Sequence, residues 1–153
     1  MCKIGLLKTD ELKETLRMIR DVFMKFEAPD YSQEGVDTFL DFIDMDSIQK
    51  SIADDSMVFW VAMDGGMVVG ALAVRDGFHI SMLFVDGQYH RRGIATELLK
   101  VAFRDCRSDI TVNSSLYGMG FYRAVGFVDT NVQKEVDGIV YIPMAYKCGV
   151  LGG

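Results

Sequence analysis

The sequence predicts a mixed α/β domain, and three observations lead to that prediction. The chain has 153 residues, half of them hydrophobic, which is enough for one domain with a buried core. Apolar residues recur at helical spacing up to about residue 53 and then in short runs typical of strands. The elements follow one another in the order βαα–βββ–α–β–α–ββ, without repeats or linkers.

The first third of the chain is predicted to be a short strand and then helices. Residues 3–7 form the strand, and the next helix carries one apolar stripe of Leu12, Leu16, Ile19, Phe23 and Phe26. Pro29 ends that helix. Ser32 can cap a second helix, and a short third one is predicted around residues 47–53.

The remainder of the chain is predicted to be mainly strands. Met57–Met63 and Met67–Arg75 are joined by a glycine turn, and Phe78–Val85 completes an antiparallel meander. Neither of the first two runs is long enough to cross a bilayer. The later elements are a helix over 94–106, a strand over 109–113, a helix over 115–125, and strands over 127–135 and 139–147.

Cysteine usage and the N-terminus indicate a cytoplasmic chain. Cys2, Cys106 and Cys148 are scattered and odd in number, so they predict neither a disulfide framework nor a metal site. Lys3 and Lys8 interrupt the N-terminal apolar stretch, so no signal-peptide core is expected. We therefore expect a reducing compartment, no structural metal and no membrane segment.

Charge is distributed unevenly along the chain, whose net charge is −6. Residues 27–64 contain ten acids and one base, whereas residues 88–107 contain five bases and two acids. Two solvated faces would explain most of these charges. The functional interpretation is an anionic ligand at the basic segment and a cationic one near the acidic segment. No basic stripe dominates the chain, so we expect no nucleic acid.

The stretch Ser81–Thr96 is predicted to be a strand, a glycine-containing loop with two arginines, and the start of a helix. Such a loop and helix start offer backbone N–H groups and partial positive charge, which suit a pyrophosphate. Rival phosphate motifs are excluded. The sequence G-x-x-x-x-G-K-[ST] is absent, and Gly118-Met119-Gly120 lacks the third glycine of a dinucleotide fingerprint, since that position is Arg123.

At this point the chain resembles the GCN5-related N-acetyltransferase (GNAT) family. The family motif Arg/Gln-x-x-Gly-x-Gly/Ala stands here as His90-Arg91-Arg92-Gly93-Ile94-Ala95. A second signature, a strand ending in Asn and then a helix ending Phe-Tyr-x-x-x-Gly-Phe, stands here as Asn113 and Phe121-Tyr122-Arg123-Ala124-Val125-Gly126-Phe127. The resemblance covers nearly the whole chain and is strongest from about Met57 to Phe127.

The resemblance implies the GNAT fold, with a mostly antiparallel central sheet of six to seven strands and about four flanking helices. It implies a single domain over 1–147 and a loose tail over 148–153. It also implies acetyl-CoA as cosubstrate. The strand Leu83, Phe84 and Val85 would bind the pantetheine arm and carry a bulge whose free donors hold an oxyanion. Arg91, Arg92, Gly93, Ile94, Ala95 and Thr96 would hold the pyrophosphate, and Asn113 would contact the cosubstrate.

The resemblance makes Tyr122 the general acid that protonates the departing thiolate. A phenol suits this role because it is neutral at pH 7 and its reference pKa, about 10, lies above that of a thiol. The alternatives are that Tyr122 is a packing aromatic and that Asn113 caps the next helix. Tyr117 is expected to be structural, although it lies close enough on that helix to substitute.

Two positions leave the expected chemistry open. His90 replaces the usual Arg or Gln, which would make the phosphate site weaker or pH-sensitive. No general base is evident, although the amine must lose a proton before it attacks. His79, Glu27 and Asp30 are the candidates. The structural alternative for His79 is an ordinary strand histidine.

The resemblance places the acceptor site at residues 24–50 and near Tyr141. This region is acidic and contains Phe26, Tyr31, Phe39 and Phe42. Acidic and aromatic side chains together favour a cationic amine, such as a polyamine, an aminoglycoside, an amino-acid amine or a lysine side chain. The structural alternative is that Phe39 is a core residue and that the acids are solvated.

The sequence therefore predicts acetyl transfer from acetyl-CoA to an amine by direct attack in a ternary complex. No acyl-enzyme nucleophile is evident, because Cys106 is predicted to face the core. A non-catalytic acyl-CoA sensor or partner-binding module, or transfer of another acyl group or to oxygen, remains an alternative. Whether the chain forms a homodimer is left open.

Overall fold

An eight-stranded sheet organises residues 2–148, the part of the chain that the computed structural model describes. The strand order is β1-β2-β3-β4-β5-β8-β6, and β7 pairs with β8 outside that row. Only the β4–β5 pair is parallel. The strands are β1 (Lys3–Leu6), β2 (Met57–Asp64), β3 (Met67–Arg75), β4 (His79–Val85), β5 (Ile110–Ser114), β6 (Val128–Asp129), β7 (Lys134–Val136) and β8 (Ile139–Tyr146).

Five α-helices occur within the described residues, so the predicted mixed α/β class is confirmed. None of these helices is long and apolar enough to span a bilayer. Their bounds are α1 (Leu12–Val22), α2 (Gln33–Phe42), α3 (Met45–Ala53), α4 (Ile94–Ala102) and α5 (Met119–Val125).

Hydrophobic cores lie on both faces of the sheet. Side chains of β2 and β3 alternate between the two faces, and both faces are covered. Both strands are therefore apolar along nearly their whole length. Helices α1, α2 and α3 cover one face, where Leu16, Ile19 and Val61 belong to one buried hydrophobic cluster. Helices α4 and α5 cover the other, where Leu98 packs with Leu72. Burying each of these aliphatic side chains contributes about 1.5–3 kcal/mol.

The end of α1 is a π-turn, and its one acidic residue is Glu27. The turn spans Phe23–Glu27, and the N–H of Ala28 donates to the carbonyl of Phe23. A 3-10 turn follows, and Ser32 then caps α2 by accepting from the N–H of Gly35 at 3.2 Å, as predicted. π-turns within α-helices occur frequently at functional sites.

Several predicted element bounds were wrong in the second half of the chain. The helix predicted over 94–106 ends at Ala102. The helix predicted over 115–125 begins at Met119, because the Ser115 Oγ accepts from the N–H of Gly118 at 3.0 Å and holds a turn instead. The strand predicted over 127–135 is divided into β6 and β7, and Asn131 makes a local side-chain turn between them.

The prediction of no disulfide was also wrong. Cys106 and Cys148 are bonded, with Cα atoms 6.0 Å apart and a sequence separation of 42. Strands β5 and β8 pair with Ile110 opposite Tyr146, and this pairing brings the two cysteines together. Sequence spacing alone could not show that contact. Cys148 begins the predicted tail, and the rest of that tail lies outside the described residues.

Candidate active site

The candidate site is a cavity of about 540 Å³ between β4 and β5. These strands are in register at only two pairs, His79 with Thr111 and Ile80 with Val112. Beyond those pairs the strands separate, and both line the cavity. On its other edge β4 has a bulge against β3, where Ser81 has no registered partner. The bulge that the resemblance implies is therefore present, and the cavity lies where the sheet splits.

One half of the cavity, which we name the loop half, is lined by the end of β4, the following loop, the first turn of α4 and Asn113 of β5. Nine of the ten residues predicted to bind a cosubstrate lie there: Leu83, Phe84, Val85, Arg91, Gly93, Ile94, Ala95, Thr96 and Asn113. Asn113 belongs to β5 and does not cap α5, whose N-cap is Gly118. The capping alternative for Asn113 is therefore wrong.

Arg92, the tenth residue, does not line the cavity. Its guanidinium lies 5.0 Å from the ring centre of Tyr89. The Tyr89 hydroxyl in turn donates to Asp64 Oδ2 at 2.6 Å. Both Arg91 and Gly93 have left-handed backbone angles, with φ of 65° and 78°. The loop backbone therefore reverses locally, and the two neighbouring arginines lie in different surroundings.

The start of α4 gives the loop half a positive character. Gly93 is the N-cap, and its carbonyl accepts from the N–H of Glu97 at 3.0 Å. The N–H groups of the first turn have no partner within the helix, and the helix dipole adds partial positive charge. Arg91 adds a full charge beside them. An anionic group such as a phosphate fits this arrangement.

His90 holds the loop in place. Its Nε2 lies 2.7 Å from the carbonyl oxygen of Val85, and a carbonyl can only accept, so Nε2 carries the proton. The imidazole also packs against Phe26, with ring centres 4.8 Å apart, and Phe26 lies 5.4 Å from the ring of Tyr117. The residue that departs from the family motif therefore connects β4 to the π-turn.

The other half of the cavity, which we name the aromatic half, is lined by Phe23, Glu27, Tyr31, Phe39, Tyr117 and Ile139. Phe23 stacks on Phe39 with ring centres 4.0 Å apart, and Phe39 lies 5.7 Å from Phe84 of the loop half. The predicted acceptor region thus contributes part of this wall. Phe26, Phe42 and Tyr141 do not line the cavity.

Glu27 is the only carboxylate among the described residues that line the cavity. Burial raises its pKa to about 7, the Ser115 hydroxyl opposes that shift, and the negative charge of Asp30 adds to it. Glu27 therefore exchanges a proton near neutral pH, which ordinary carboxylates do not.

Tyr122 lines the same cavity from α5 and is buried. Burial, and secondarily the charge of Glu27, raises the pKa of Tyr122 well above its usual value. Its ring packs edge-on against Phe121 and Phe127, with centres 5.3 and 5.2 Å away. The side chain therefore packs in the core and also presents a neutral phenol to the cavity.

The other candidates for a base lie elsewhere. The Nδ1 of His79 lies 2.8 Å from the Thr111 Oγ1, in the registered part of β4 and β5. Burial and then the charge of Arg75 lower the pKa of His79. Asp30 is exposed and does not line the cavity. Of the three candidates, the structure brings only Glu27 to the cavity.

Sequence reasoning missed Ser81, which lines the cavity at the bulge. Within residues 2–148, its Oγ is the one buried side-chain oxygen or nitrogen without a hydrogen-bond partner. Its signal in the sequence is a single polar residue inside the apolar run Ile80–Val85. A buried hydroxyl without a partner is costly, which suggests that a ligand supplies the partner.

Comparison with known proteins gives a consistent result. Residues 27–148 match the family model of an acetyltransferase (GNAT) domain. The uncharacterized N-acetyltransferase YafP of Escherichia coli is 37% identical over 75 residues, 49% of this chain and 49% of that protein. The probable N-acetyltransferase family 8 member 5 of Mus musculus is 31% identical over 118 residues, 65% of this chain and 51% of that protein. The chain thus spans about half the length of these curated relatives.

Solved structures share the fold at low sequence identity. The PaiA N-acetyltransferase of Thermoplasma acidophilum, crystallised with coenzyme A, has a TM-score of 0.76 at 17% identity and covers 96% of this chain and 99% of its own. A GCN5-related N-acetyltransferase of Rhodopseudomonas palustris has a TM-score of 0.77 at 18% identity, covering 95% and 94%. Each of these similarities extends over at least 95% of this chain, so the fold as a whole is shared.

Proposed function

Because the chain belongs to the GNAT acetyltransferase family, we propose that it transfers the acetyl group of acetyl-CoA to an amine by direct attack in a ternary complex. Acetyl-CoA is the cosubstrate of this family. One observation carries the proposal. A single cavity connects an anion-binding helix start to a carboxylate of near-neutral pKa and a buried phenol.

The loop half suits the cosubstrate. Arg91 and the free N–H groups at the start of α4 would bind the pyrophosphate. Leu83, Phe84 and Val85 belong to the part of β4 that is not paired with β5. Apart from the Val85 carbonyl, which accepts from His90, their backbone groups on that edge are available to the amides of the pantetheine arm. Arg92 would contribute less, because it lies against Tyr89 outside the cavity.

Glu27 is the proposed general base. The amine nitrogen forms a bond to the acetyl carbon after its proton passes to the Glu27 carboxylate, directly or through one water. A base with a pKa near 7 is half ionised at neutral pH and accepts a proton more readily than an ordinary carboxylate.

Tyr122 is the proposed general acid. When the tetrahedral intermediate collapses, the carbon–sulfur bond breaks and the phenol proton goes to the coenzyme A thiolate. Its raised pKa keeps the phenol protonated until that moment. The negative charge it leaves is taken up when the proton returns from solvent or from Glu27.

The bulge of β4 would stabilise the oxyanion of that intermediate. Backbone donors are released where Ser81 lacks a partner on β3, and the Ser81 hydroxyl is a further donor without a partner. Donors held ready in a site that excludes water stabilise developing charge strongly.

A non-catalytic acyl-CoA sensor is the second candidate, and transfer of a different acyl group is a variant of the first. Both would use the loop half in the same way. A sensor has no use for a carboxylate with a near-neutral pKa beside a buried phenol, and this pair favours the transferase.

The test is release of free thiol from acetyl-CoA over a panel of amines, with wild type and Tyr122→Phe. We expect amine-dependent release that falls at least about tenfold in the variant. Tyr146→Phe is the matched control, because Tyr146 is equally buried but lies outside the cavity. Binding of acetyl-CoA without turnover of any amine would favour the sensor, and no binding at all would refute both.

A further inference from the structure

We propose that the acceptor is a compact primary monoamine whose amino group is attached to an apolar or aromatic body. This inference rests on the proposed transferase function and concerns the aromatic half alone. It narrows the cationic amines that the acidic sequence segment favours, and it departs from the polyamines and aminoglycosides among them.

The wall of the aromatic half is apolar. Phe23, Tyr31 and Phe39 form a stacked set, with Phe23 at the centre, 4.0 Å from Phe39 and 5.7 Å from Tyr31. Ile139 adds an aliphatic surface from β8. Flat rings and a branched aliphatic side chain provide contact for hydrocarbon or for another ring. The hydrogen-bonding side chains of this half are Tyr31, Tyr117 and Glu27, which are too few for the many hydroxyl and amino groups of an aminoglycoside.

Apart from Glu27, the acids of the acidic segment do not enter this half. The acids that follow Glu27 on or beside α2 and α3 are exposed and do not line the cavity (Asp30, Glu34, Asp37, Asp41, Asp44 and Asp46). Glu27 can serve one amino group. A second ammonium on the same compact acceptor would lie against rings without a carboxylate partner, and burying such a charge is unfavourable.

A contact between two glycines also lies next to the aromatic half, one residue before Ile139. Gly35 of α2 packs directly on the backbone of Gly138, so that a Cβ on either residue would clash with the other. The Thr38 hydroxyl donates to the carbonyl of Asp137 at 2.7 Å beside this contact. Helix α2 is thereby held on the β7–β8 turn, which limits the room for a large acceptor such as a folded protein surface.

A matched pair of amines tests the proposal on the wild-type protein. Hexylamine and 1,6-diaminohexane have the same length, and only the second carries another charge. We expect kcat/KM for hexylamine and for 2-phenylethylamine to exceed that for the diamine by at least about tenfold. Spermidine, an aminoglycoside and a lysine-containing peptide complete the panel and are expected to be poorer still.

Phe39→Leu and Phe42→Leu form a matched pair of variants, since both residues lie on α2 but only Phe39 lines the cavity. We expect Phe39→Leu to raise KM for 2-phenylethylamine at least about threefold without changing KM for acetyl-CoA. Phe42→Leu should change neither the KM for 2-phenylethylamine nor the KM for acetyl-CoA. An unchanged amine KM in Phe39→Leu would contradict the proposal.

The outcomes separate this inference from the function on which it rests. Turnover that favours the diamine, spermidine, the aminoglycoside or the peptide would overturn the acceptor class and leave the transferase intact. Acetyl-CoA binding with no turnover of any amine would overturn both. Preference for the two monoamines, together with the Phe39→Leu result, would support both.

Discussion

The loop half and the aromatic half of the cavity are built in different ways, although both lie against β4. Apart from Asn113 of β5, the residues of the loop half come from the single stretch 83–96. The aromatic half is assembled from the end of α1, from α2, from the turn before α5 and from β8. A site made from one stretch is visible as a sequence motif. A site assembled by tertiary contacts is not visible in this way. The residues of the aromatic half, and with them its ligand, can therefore change without disturbing the loop half.

The largest effect is expected in the aromatic half, from Glu27→Gln. An amide cannot accept the proton of the amine, so kcat should fall by about a hundredfold or more. Steady-state thiol release at saturating acetyl-CoA and amine measures this change. Asp30→Asn is the matched control, because it removes an exposed carboxylate three residues away, and its kcat should stay within about twofold of wild type.

The same residue should control the pH dependence. Tyr31, Asp30 and Tyr122 surround Glu27, and the raised pKa of about 7 means that the base loses its charge below neutral pH. Wild-type kcat should therefore fall as pH decreases through 7, and Glu27→Gln should lack that step. A wild-type profile that is flat between pH 6 and pH 8 would remove Glu27 as the base.

The stability of the folded protein should change with pH in the opposite sense to kcat. The unfolded chain loses the Glu27 proton near pH 4.5 and the folded protein only near 7, so stability is lost as pH rises between these values. Glu27→Gln should therefore be more stable than wild type at pH 8, on the order of 2 kcal/mol, and about equal near pH 4. Urea unfolding at both pH values measures the difference.

A smaller effect is expected in the loop half, where Arg91 and Arg92 form a natural pair. Arg91→Ala removes a charge that lines the cavity and should raise KM for acetyl-CoA about tenfold, since a charge-assisted hydrogen bond contributes about 1.5–3 kcal/mol. Arg92→Ala removes a charge that lies over the Tyr89 ring, and it should change the KM for acetyl-CoA by less than about threefold. Equal effects of the two substitutions would show that the loop binds phosphate by net charge alone.

Gly35→Ala should affect the aromatic half only. The added Cβ would clash with Gly138 and shift α2 away from the β7–β8 turn, raising KM for the amine by about threefold to tenfold. Binding of acetyl-CoA, measured by calorimetry, should not change. Gly5→Ala is the control, because its Cβ would meet nothing within 4 Å. A loss of acetyl-CoA affinity in Gly35→Ala would show that the halves are coupled.

The smallest effect on activity is expected from Cys106→Ser, which lies outside both halves. The disulfide with Cys148 closes a long loop, and its loss should reduce stability by about 4 kcal/mol under oxidising conditions. Activity at low temperature should be unchanged. In a reducing compartment wild type and variant should be equally stable, since the bond would not persist there.

The success of the sequence predictions differs between the loop half and the aromatic half in the same way. Strand β3 was predicted with its observed bounds, and the strand, loop and helix start of the loop half lie where the glycines and apolar runs indicated. Turn glycines and periodicity are local signals. The place of Arg92 was not predictable, because it depends on the backbone reversal at Arg91 and Gly93.

The features that depend on tertiary structure could not be predicted. Glu27 was one of three candidates for a base, and only the π-turn and the burial it produces distinguish it from Asp30. Ser81 becomes conspicuous only through the bulge, and Cys106 meets Cys148 only through the pairing of β5 and β8. Each of these features depends on contacts between residues that are distant in sequence or on the exclusion of solvent.

The most direct test of the account is to identify the product. Acetyl-CoA and 2-phenylethylamine would be incubated with wild type, with Tyr122→Phe and with Glu27→Gln, and the amide measured by mass spectrometry. The account predicts one N-acetylated amine for each coenzyme A released by wild type, and strongly reduced amounts from both variants. Acetyl-CoA that binds but yields no amide from any amine would contradict it.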